Sequence, residues 1–261
     1  MEMANDIYSN LKKTFKARER ADDYFHVSDL PHICPRAVYY AKKYKVSFRK
    51  KSILLPHNVL AFAYGIAIQK FLSRYSSHLI SKWICLRCGK KYYLSFDDWK
   101  YVSCNPDYLI LRDYGIELNS KTLRLVGNID ALYRENGRVY IAEIKSISAR
   151  QFETLNEPLF DHALQVLTYL WMFNRKKKKI DEGLERFKIE RNRAVVIYFK
   201  KDFQNLEIKK FFLNRNEYRI EERLKILLKS LIEPNENSPR VCNSSLSPQA
   251  KQCKFRKICF E

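Results

Sequence analysis

Two acidic residues flank a predicted tight turn in the stretch GNIDALYRENGRVYIAEIK, residues 127–145. Asn136-Gly137 lies between two runs of alternating apolar residues, which is a strong signal for a β-hairpin with a type I′ turn. Symmetric pairing about this two-residue loop places Asp130 opposite Glu143, with Cβ atoms about 4.5–5.5 Å apart. Lys145 lies two residues beyond Glu143, so it shares that face of the strand. The sequence therefore predicts two carboxylates and one amine on a single face.

Two directly opposed carboxylates repel each other, and a divalent cation removes that penalty. Mg²⁺ and Mn²⁺ prefer such oxygen ligands, completed by water and substrate phosphates. A lysine beside the metal can hold the attacking water and offset charge that develops on a phosphodiester. An ordinary surface hairpin is the alternative, but the apolar surroundings of both acids argue against it. A bulge at the turn would leave the acids diagonal rather than opposed.

The elements that must position this hairpin follow from periodicity. Helical spacing occurs in residues 35–40, 57–75, 160–173 and 217–233, and strand patterns occur in 123–133, 138–147, 194–200 and 206–213. A polar leader is predicted at 7–20 and a basic loop at 175–183. The mixed order of elements predicts one α/β domain over residues 1–261, with a mixed central β-sheet flanked by helices.

The charge of the chain indicates its partner. Lys and Arg total 49 against 29 acidic residues, for a formal net charge of +20. Such a surplus favours a polyanion, with nucleic acid first, and a merely soluble basic protein is the alternative. No apolar run approaches the roughly 18 residues that a membrane span needs, and no signal peptide opens the chain. We therefore expect an intracellular, cytoplasmic protein with no membrane partner.

A group of cysteines in the middle of the chain has the spacing of a zinc ribbon. Cys85 and Cys88 form a C-x₂-C knuckle, and fifteen residues separate Cys88 from Cys104. Asp107 is the candidate fourth ligand of a Zn²⁺ site, with His78 as its alternative. Residues 80–110 are thus predicted to form an inserted zinc-ribbon-like subdomain. Its tyrosines, tryptophan and lysines suit either single-stranded nucleic acid or the core of the subdomain.

The pattern of GNID, twelve residues and EIK resembles the PD-(D/E)XK nuclease superfamily. More specifically, it resembles the RecB-like branch that includes the CRISPR-associated Cas four exonuclease family, whose restriction-endonuclease-like core it implies. The helix FDHALQVLTYLWMF, residues 160–173, matches the Gln-x-x-x-Tyr helix of that branch. Gln165 and Tyr169 share one helix face. The resemblance implies that this face positions DNA and the metal-bound phosphate, whereas a structural hydrogen bond is the alternative role for the glutamine.

The resemblance also implies the ligands of the metal. Asp130 and Glu143 would bind Mg²⁺ or Mn²⁺ with the backbone carbonyl of Ile144, and Lys145 would assist the attacking water. The first motif of the family corresponds to residues 57–75, where a histidine often ligates the metal. Gln69 stands at that position, which is a departure from the family. Its amide oxygen is a candidate ligand, although a weaker one than histidine.

The remaining cysteines resemble the iron–sulfur members of the branch. CPRAVYY at 34–40 matches their upstream motif, and CKFRKIC at 253–259 has their C-x₅-C spacing. Family members commonly place another cysteine where Ala250 stands, and Cys242 is its candidate replacement. The implied [4Fe–4S] ligands are Cys34, Cys242, Cys253 and Cys259, which would join the two ends of the chain. Zinc in the same four-thiolate cage is the alternative.

The function implied is a Mg/Mn-dependent deoxyribonuclease that acts on single-stranded or frayed DNA ends, as an exonuclease and also as a candidate endonuclease. Its setting would be CRISPR adaptation and antiviral defence beside an integrase complex, or DNA processing in a virus or mobile element. A nucleic-acid-binding module with a decayed nuclease centre is the alternative from another class. Gln69 supports that alternative, and the intact set of Asp130, Glu143 and Lys145 opposes it.

Overall fold

The computed structural model describes residues 6, 9–10, 23–48, 56–111, 115–175, 183–201 and 205–261. It contains a large mixed β-sheet with helices packed on it, and a second, smaller sheet. The predicted α/β class with a mixed central sheet flanked by helices is confirmed. Among the helices described, none combines the length and apolarity needed to cross a bilayer.

The ten described strands form two sheets. In chain order they are β1 (Phe25–His26), β2 (Leu79–Cys85), β3 (Lys91–Leu94), β4 (Leu109–Leu111), β5 (Ile116–Ser120), β6 (Leu125–Ile129), β7 (Ala131–Glu135), β8 (Arg138–Ser148), β9 (Ile189–Lys201) and β10 (Ile208–Asn214). The main sheet has the order β10-β9-β8-β7-β2-β3, and β4 also pairs with β2. Only β8 and β9 are parallel among the described pairs of this sheet. The small sheet has the order β1-β6-β5.

Seven α-helices lie around these sheets in the described part of the chain. They are α1 (Pro35–Lys43), α2 (Pro56–Tyr75), α3 (Ala149–Thr154), α4 (Phe160–Arg175), α5 (Ile220–Ile232), α6 (Pro248–Lys251) and α7 (Arg256–Phe260). Proline opens α1 at its first position, where the missing N–H costs nothing. The predicted helices at 57–75, 160–173 and 217–233 are found within a few residues of their expected bounds.

The helix α4 is the centre of the hydrophobic core. All residues from Ala163 to Phe173 are buried, so this helix is enclosed on every side rather than amphipathic. It contacts β8 and β9 of the main sheet and β5 and β6 of the small sheet. The small sheet and the main sheet therefore meet beside the same helix, which carries the predicted Gln-x-x-x-Tyr motif.

One predicted strand is divided in two. The pattern at 123–133 predicts a single strand, but β6 ends at Ile129 and β7 begins at Ala131. The first half pairs in the small sheet and the second half in the main sheet, so Asp130 marks the point where the chain changes sheets. The leader predicted at 7–20 and the basic loop predicted at 175–183 lie largely outside the described residues.

Candidate active site

The Asn-Gly turn sets the register that brings the two acids together. Asn136 and Gly137 have φ of 50° and 73°, the left-handed conformation that a type I′ turn requires at both positions. From this turn β7 and β8 pair without a bulge, from Glu135 with Arg138 to Ala131 with Ala142. The next position outward on each strand is Asp130 and Glu143. The predicted register is therefore found, although Asp130 lies just past the last paired residue.

Asp130 reaches across to the neighbouring strand through its side chain. Its Oδ2 accepts a hydrogen bond from the backbone N–H of Ile144 at 2.9 Å. A side chain can serve this N–H because Asp130 lies between the two sheets and the ladder has ended there. The break in the strand thus turns the carboxylate of Asp130 toward β8, where Glu143 lies.

Burial and mutual repulsion shape the electrostatics of this pair. Glu143 is only 1% exposed. Burial, and then the charge of Asp130, raise its pKa to about 8. Burial also raises the pKa of Asp130, against the opposing charge of Lys145. Both carboxyl groups are harder to ionise than ordinary acids, so a bound cation would stabilise their ionised forms.

Lys145 supplies one compensating charge. Its Nζ lies 2.6 Å from Oε1 of Glu143. Burial would lower the pKa of Lys145, yet the carboxylates of Glu143 and Asp130 raise it above its ordinary value. The lysine is therefore held as an ammonium on the same strand face as Glu143, as the alternation of β8 predicts. One ammonium balances only one of the two carboxylates.

The second oxygen of Glu143 has no partner. Its Oε2 is buried and accepts no hydrogen bond from any described residue. An orphaned carboxylate oxygen inside a protein costs free energy until a proton or a cation reaches it. Hard divalent cations prefer carboxylate oxygens. The carboxylates of Asp130 and Glu143 therefore fit Mg²⁺ or Mn²⁺.

Gln69 on α2 joins the site through Asp130. A hydrogen bond from the Gln69 side chain to Asp130 is one of the interactions that oppose the effect of burial on the pKa of this acid. The residue that departs from the family pattern thus contacts a predicted ligand. Ile144 contributes its N–H to Asp130, and the ligand roles of its carbonyl and of Gln69 stay predictions.

Gln165 and Tyr169 lie beside the carboxylates but are buried. The amide of Gln165 donates to the hydroxyl of Tyr169 at 2.9 Å. Burial, followed by the charges of Glu143 and Asp130, raises the pKa of Tyr169 well above its ordinary value. The structural hydrogen bond considered for Gln165 is thus present. Their contact with DNA stays a prediction.

Gly127 opens the GNID pattern, but the motif assigns it no role of its own. A Cβ atom at this position would lie 2.5 Å from the ring of Tyr169 and 2.8 Å from the side chain of Val27. Only glycine allows β6 to pack this closely against α4. The signal for it was available in the sequence, because a glycine within a strand pattern marks close backbone approach.

The mid-chain cysteines converge as their spacing predicts. The sulfurs of Cys85, Cys88 and Cys104 all lie within 4.8 Å of one another. Those of Cys88 and Cys104 are 3.4 Å apart, close to the roughly 3.8 Å that follows from tetrahedral Zn–S bonds of about 2.3 Å. Hydrogen bonds from the backbone, first from Cys88, lower the pKa of Cys85. Three thiolates are therefore placed to bind one metal ion.

The predicted fourth ligands do not join this group. The group that could hold a metal contains no carboxylate, so Asp107 lies outside it. Asp107 instead lies in a short 3₁₀ turn, Pro106–Tyr108, in which its backbone N–H donates to Oδ1 of Asn105 at 2.9 Å. The ring of His78 is 2.9 Å from the carbonyl of Arg134, in the main sheet. Tyr92 approaches the group, with its hydroxyl 3.1 Å from the sulfur of Cys104.

Some aromatic side chains of the segment 80–110 lie in a small core, and others lie on the surface. Trp83 is buried, and Tyr92 and Trp99 pack partly buried against it in a small cluster separate from the main core. Tyr101, in contrast, is 75% exposed and lies beneath the ammonium of Lys100. The buried aromatics form the core of this small cluster, whereas binding of single-stranded nucleic acid by the exposed Tyr101 stays a prediction.

Three of the terminal cysteines, Cys34, Cys242 and Cys259, lie where α1 meets the C-terminal segment. Cys34 caps α1, and its sulfur lies 4.0 Å from the carbonyl of Pro239. The hydroxyl of Tyr40 donates to the carbonyl of Ile258 at 3.2 Å. After burial, the nearby thiols of Cys34 and Cys242 are among the groups that raise the pKa of Cys259.

These cysteines do not form a second tight group among the described residues, since only the mid-chain sulfurs meet the 4.8 Å limit. The thiolates of a [4Fe–4S] cluster bind four different iron atoms, so they lie further apart than the ligands of a single ion. The iron–sulfur cluster at these cysteines stays a prediction, as does the zinc alternative.

Comparisons with known proteins address the chain as a whole. A family model described as the PD-(D/E)XK nuclease superfamily matches residues 56–260. Among solved structures, one titled "Crystal structure of SSO0001" matches with 18% sequence identity and a TM-score of 0.45, covering 99% of this chain and 96% of that chain. A search of curated proteins finds no match.

Proposed function

The chain belongs to the PD-(D/E)XK nuclease superfamily, because the family model spans most of its length, and from this premise we propose that it is a divalent-metal-dependent deoxyribonuclease. One observation carries the proposal: the buried, unpartnered Oε2 of Glu143 lies beside Asp130 and Lys145. Membership in the superfamily indicates a metal-dependent nuclease. The preference for Mg²⁺ or Mn²⁺ and for DNA is the proposal.

The carboxylates of Asp130 and Glu143 would hold the cation, with the carbonyl of Ile144 and the amide of Gln69 as further candidate ligands. When bound, the cation supplies Lewis-acid polarisation of the phosphodiester and lowers the pKa of a bound water. The ammonium of Lys145 stays charged beside Glu143, so it can donate hydrogen bonds to the attacking water and to phosphate oxygens. Gln165 and Tyr169 would fix the helix face that the strand follows.

DNA with single-stranded character is the proposed substrate, and the net charge of +20 provides the attraction for its phosphates. Tyr101, with Lys100 above its ring, offers an exposed platform on which a base can stack. The resemblance to exonucleases indicates digestion from an end. A circular single strand separates this activity from endonuclease activity, because it has no end.

The test is cleavage of end-labelled single-stranded DNA with Mn²⁺ or Mg²⁺. Wild-type protein should degrade the linear strand, and the metal chelator EDTA should stop it. Asp130→Ala should lose the activity, whereas His32→Ala, a change at an exposed residue whose ring lies 3.5 Å from the carboxylate of Asp161, should keep it. Undiminished cleavage by Asp130→Ala would disprove the assignment of the site.

A nucleic-acid-binding module with a decayed nuclease centre is the second candidate. The observation that favours it is Gln69, which occupies the position of the family histidine and hydrogen-bonds Asp130. This candidate predicts tight binding of DNA with no cleavage under any divalent metal. Equilibrium binding and cleavage, measured on the same preparation, distinguish the two.

For the terminal cysteines we propose a [4Fe–4S] cluster held by Cys34, Cys242, Cys253 and Cys259, which would join α1 to the C-terminal segment. Protein purified without oxygen should be brown and contain about four iron atoms per chain. Zinc without iron in the same protein would overturn this assignment in favour of the alternative.

For the mid-chain cysteines we propose one Zn²⁺ ion bound by Cys85, Cys88 and Cys104. The fourth ligand would be Asp107 after a local movement, or a water molecule. Elemental analysis should give one zinc per chain in addition to iron, and Cys88→Ser should remove the zinc alone.

The setting that the resemblance implies is CRISPR adaptation beside an integrase complex, or DNA processing in a virus or mobile element. A cytoplasmic location belongs to the same proposal. Genes that neighbour this one would separate the settings: an adjacent integrase gene supports adaptation, and viral structural genes contradict it.

A further inference from the structure

Tyr198 lies beside the catalytic lysine, on a strand that no motif identifies. It is paired with Lys145 in the parallel register of β8 and β9. Side chains of paired residues in neighbouring strands lie on the same face of the sheet, so Tyr198 shares the face of Glu143 and Lys145. Tyr198 is fully buried, and a buried hydroxyl needs hydrogen-bond partners.

The hydroxyl of Tyr198 has two hydrogen-bond partners among the described residues. The backbone N–H of Leu159 donates to the Tyr198 oxygen at 3.0 Å. The single proton of the hydroxyl is then available for Nδ1 of His162, which lies 2.8 Å away. With Nδ1 as the acceptor, the buried hydroxyl proton has a partner. A neutral imidazole carries one proton, so that proton resides on Nε2.

The surroundings of His162 keep its ring neutral. Burial, and then the positive charge of Lys145, lower its pKa to about 4. Nε2 has no hydrogen-bond partner among the described residues, and the side chain is half-buried rather than enclosed. Tyr198 thus holds a neutral ring whose single N–H is left for an outside acceptor.

The position of His162 on α4 places its ring near Lys145 of the candidate active site. His162, Gln165 and Tyr169 are separated by three and four residues, so they lie along one face of the helix. That face contacts β8 and β9, and its tyrosine senses the charges of Glu143 and Asp130. His162 lies one turn before the predicted motif, over Tyr198 and near Lys145.

We propose that His162 contacts the substrate of the nuclease site, where its Nε2–H donates a hydrogen bond to a phosphate oxygen of the bound DNA strand. This inference rests on the proposed nuclease function. A neutral donor suits the place, because a second cation beside Lys145 would be repelled. The ring is oriented before substrate arrives, so little reorganisation is needed.

The test compares His162→Gln with His162→Asn under single-turnover conditions on labelled single-stranded DNA. The side-chain nitrogen of glutamine lies near the position of Nε2, and that of asparagine near Nδ1. His162→Gln should therefore keep most of the wild-type kcat/KM, while His162→Asn and His162→Ala should lose about 10- to 100-fold, the range expected for a hydrogen bond to a charged group. His32→Ala is the matched control and should cleave like wild type.

A substrate change provides an independent measurement. Methylphosphonate replaces one charged phosphate oxygen with a methyl group, and it can be placed at each position of the strand in turn. At one position, methylphosphonate should weaken binding and cleavage by the wild type. The same methylphosphonate should not weaken them further in His162→Ala, because that variant already lacks the contact.

Three results overturn the proposal. His162→Ala cleaves at the wild-type rate, His162→Gln and His162→Asn lose equal amounts of activity, or the losses from His162→Ala and from methylphosphonate add at every position. If His162→Ala has a lower thermal midpoint than the wild type, the comparison of His162→Gln with His162→Asn decides whether the proposal holds. Failure of the wild type to cleave any DNA would instead refute the proposed function. DNA binding by the same variants, with a loss of about tenfold expected for His162→Ala, then decides the role of His162.

Discussion

The carboxylate site and the mid-chain cysteine group are two candidate metal sites built by the same device. In each, a short turn with a glycine in the left-handed conformation brings ligands together, Gly137 in one and Gly89 in the other, both with φ of 73°. Both turns are therefore local features that do not depend on the rest of the fold for their geometry.

The two sites differ in what surrounds them. Glu143 is 1% exposed on the long strand of the main sheet, with Gln69 of α2 and Tyr169 of α4 close to the acids. The cysteines lie at the margin of the sheet against their own small cluster, and Cys88 is exposed. Burial, rather than the turn, therefore raises the pKa values of the carboxyl groups and links the carboxylate site to the main core.

Among the changes that test this contrast between the two sites, Glu143→Gln should have the largest effect. The change removes one carboxylate but keeps the size of the side chain, so cleavage should fall at least about 1,000-fold, which is about 4 kcal/mol in the barrier. Without metal at pH 9, the variant should unfold at a higher temperature than wild type, because a buried charge is gone. Cleavage assays and thermal melts check the two halves. A variant that loses both activity and stability would mean that Glu143 is structural.

Gly127→Ala tests how strongly the carboxylate site depends on the core. The new Cβ would meet the Tyr169 ring and Val27 at less than 3 Å, so the free energy of unfolding should fall by about 1–3 kcal/mol. Gly65→Ala is the matched control, because its Cβ would meet Ser146 at 3.5 Å, an ordinary contact, inside a helix. There, stability should rise by about 0.5–1 kcal/mol. Chemical denaturation measures both, and equal effects would remove Tyr169 from the explanation.

The pH dependence of metal binding follows from the pKa of Glu143, which is raised from 4.5 to about 8. Below that pH the cation must displace a proton, so apparent affinity for Mn²⁺ should rise by up to about tenfold per pH unit and level off above it. Without metal, a raised carboxyl pKa stabilises the fold at low pH and the gain is lost as pH rises toward 8. Titration calorimetry from pH 6 to 9 checks the affinity. Glu143→Gln should abolish the rise, and a wild-type affinity independent of pH would contradict it.

The smallest effect on catalysis is expected from Cys88→Ser. The variant should lose bound zinc and become open to proteolysis within residues 85–104, while its nuclease activity on short strands changes by less than about twofold, because the small cluster is separate from the main core. Limited proteolysis and elemental analysis measure the loss. A collapse of activity together with the loss of zinc would show that the two sites are coupled after all.

The sequence determined the features that depend on neighbours along the chain. The Asn136-Gly137 turn and the register from Glu135 to Ala142 were predicted correctly, because positive φ and strand alternation are local properties. The three mid-chain sulfurs converge for the same reason. The helix of Gln165 and Tyr169 was also predicted, since apolar residues at helical spacing define it.

The surroundings of these features follow from tertiary contacts alone. The tertiary structure divided the predicted strand at Asp130, because the two halves pair in different sheets. It buried Glu143 and left one of its oxygens without a hydrogen-bond partner among the described residues. It also left Asp107 outside the group of three cysteine sulfurs and set His162 against Tyr198. These outcomes depend on contacts between residues far apart in the chain. Spacing carries no record of such contacts, because burial and pairing are settled by the whole core at once.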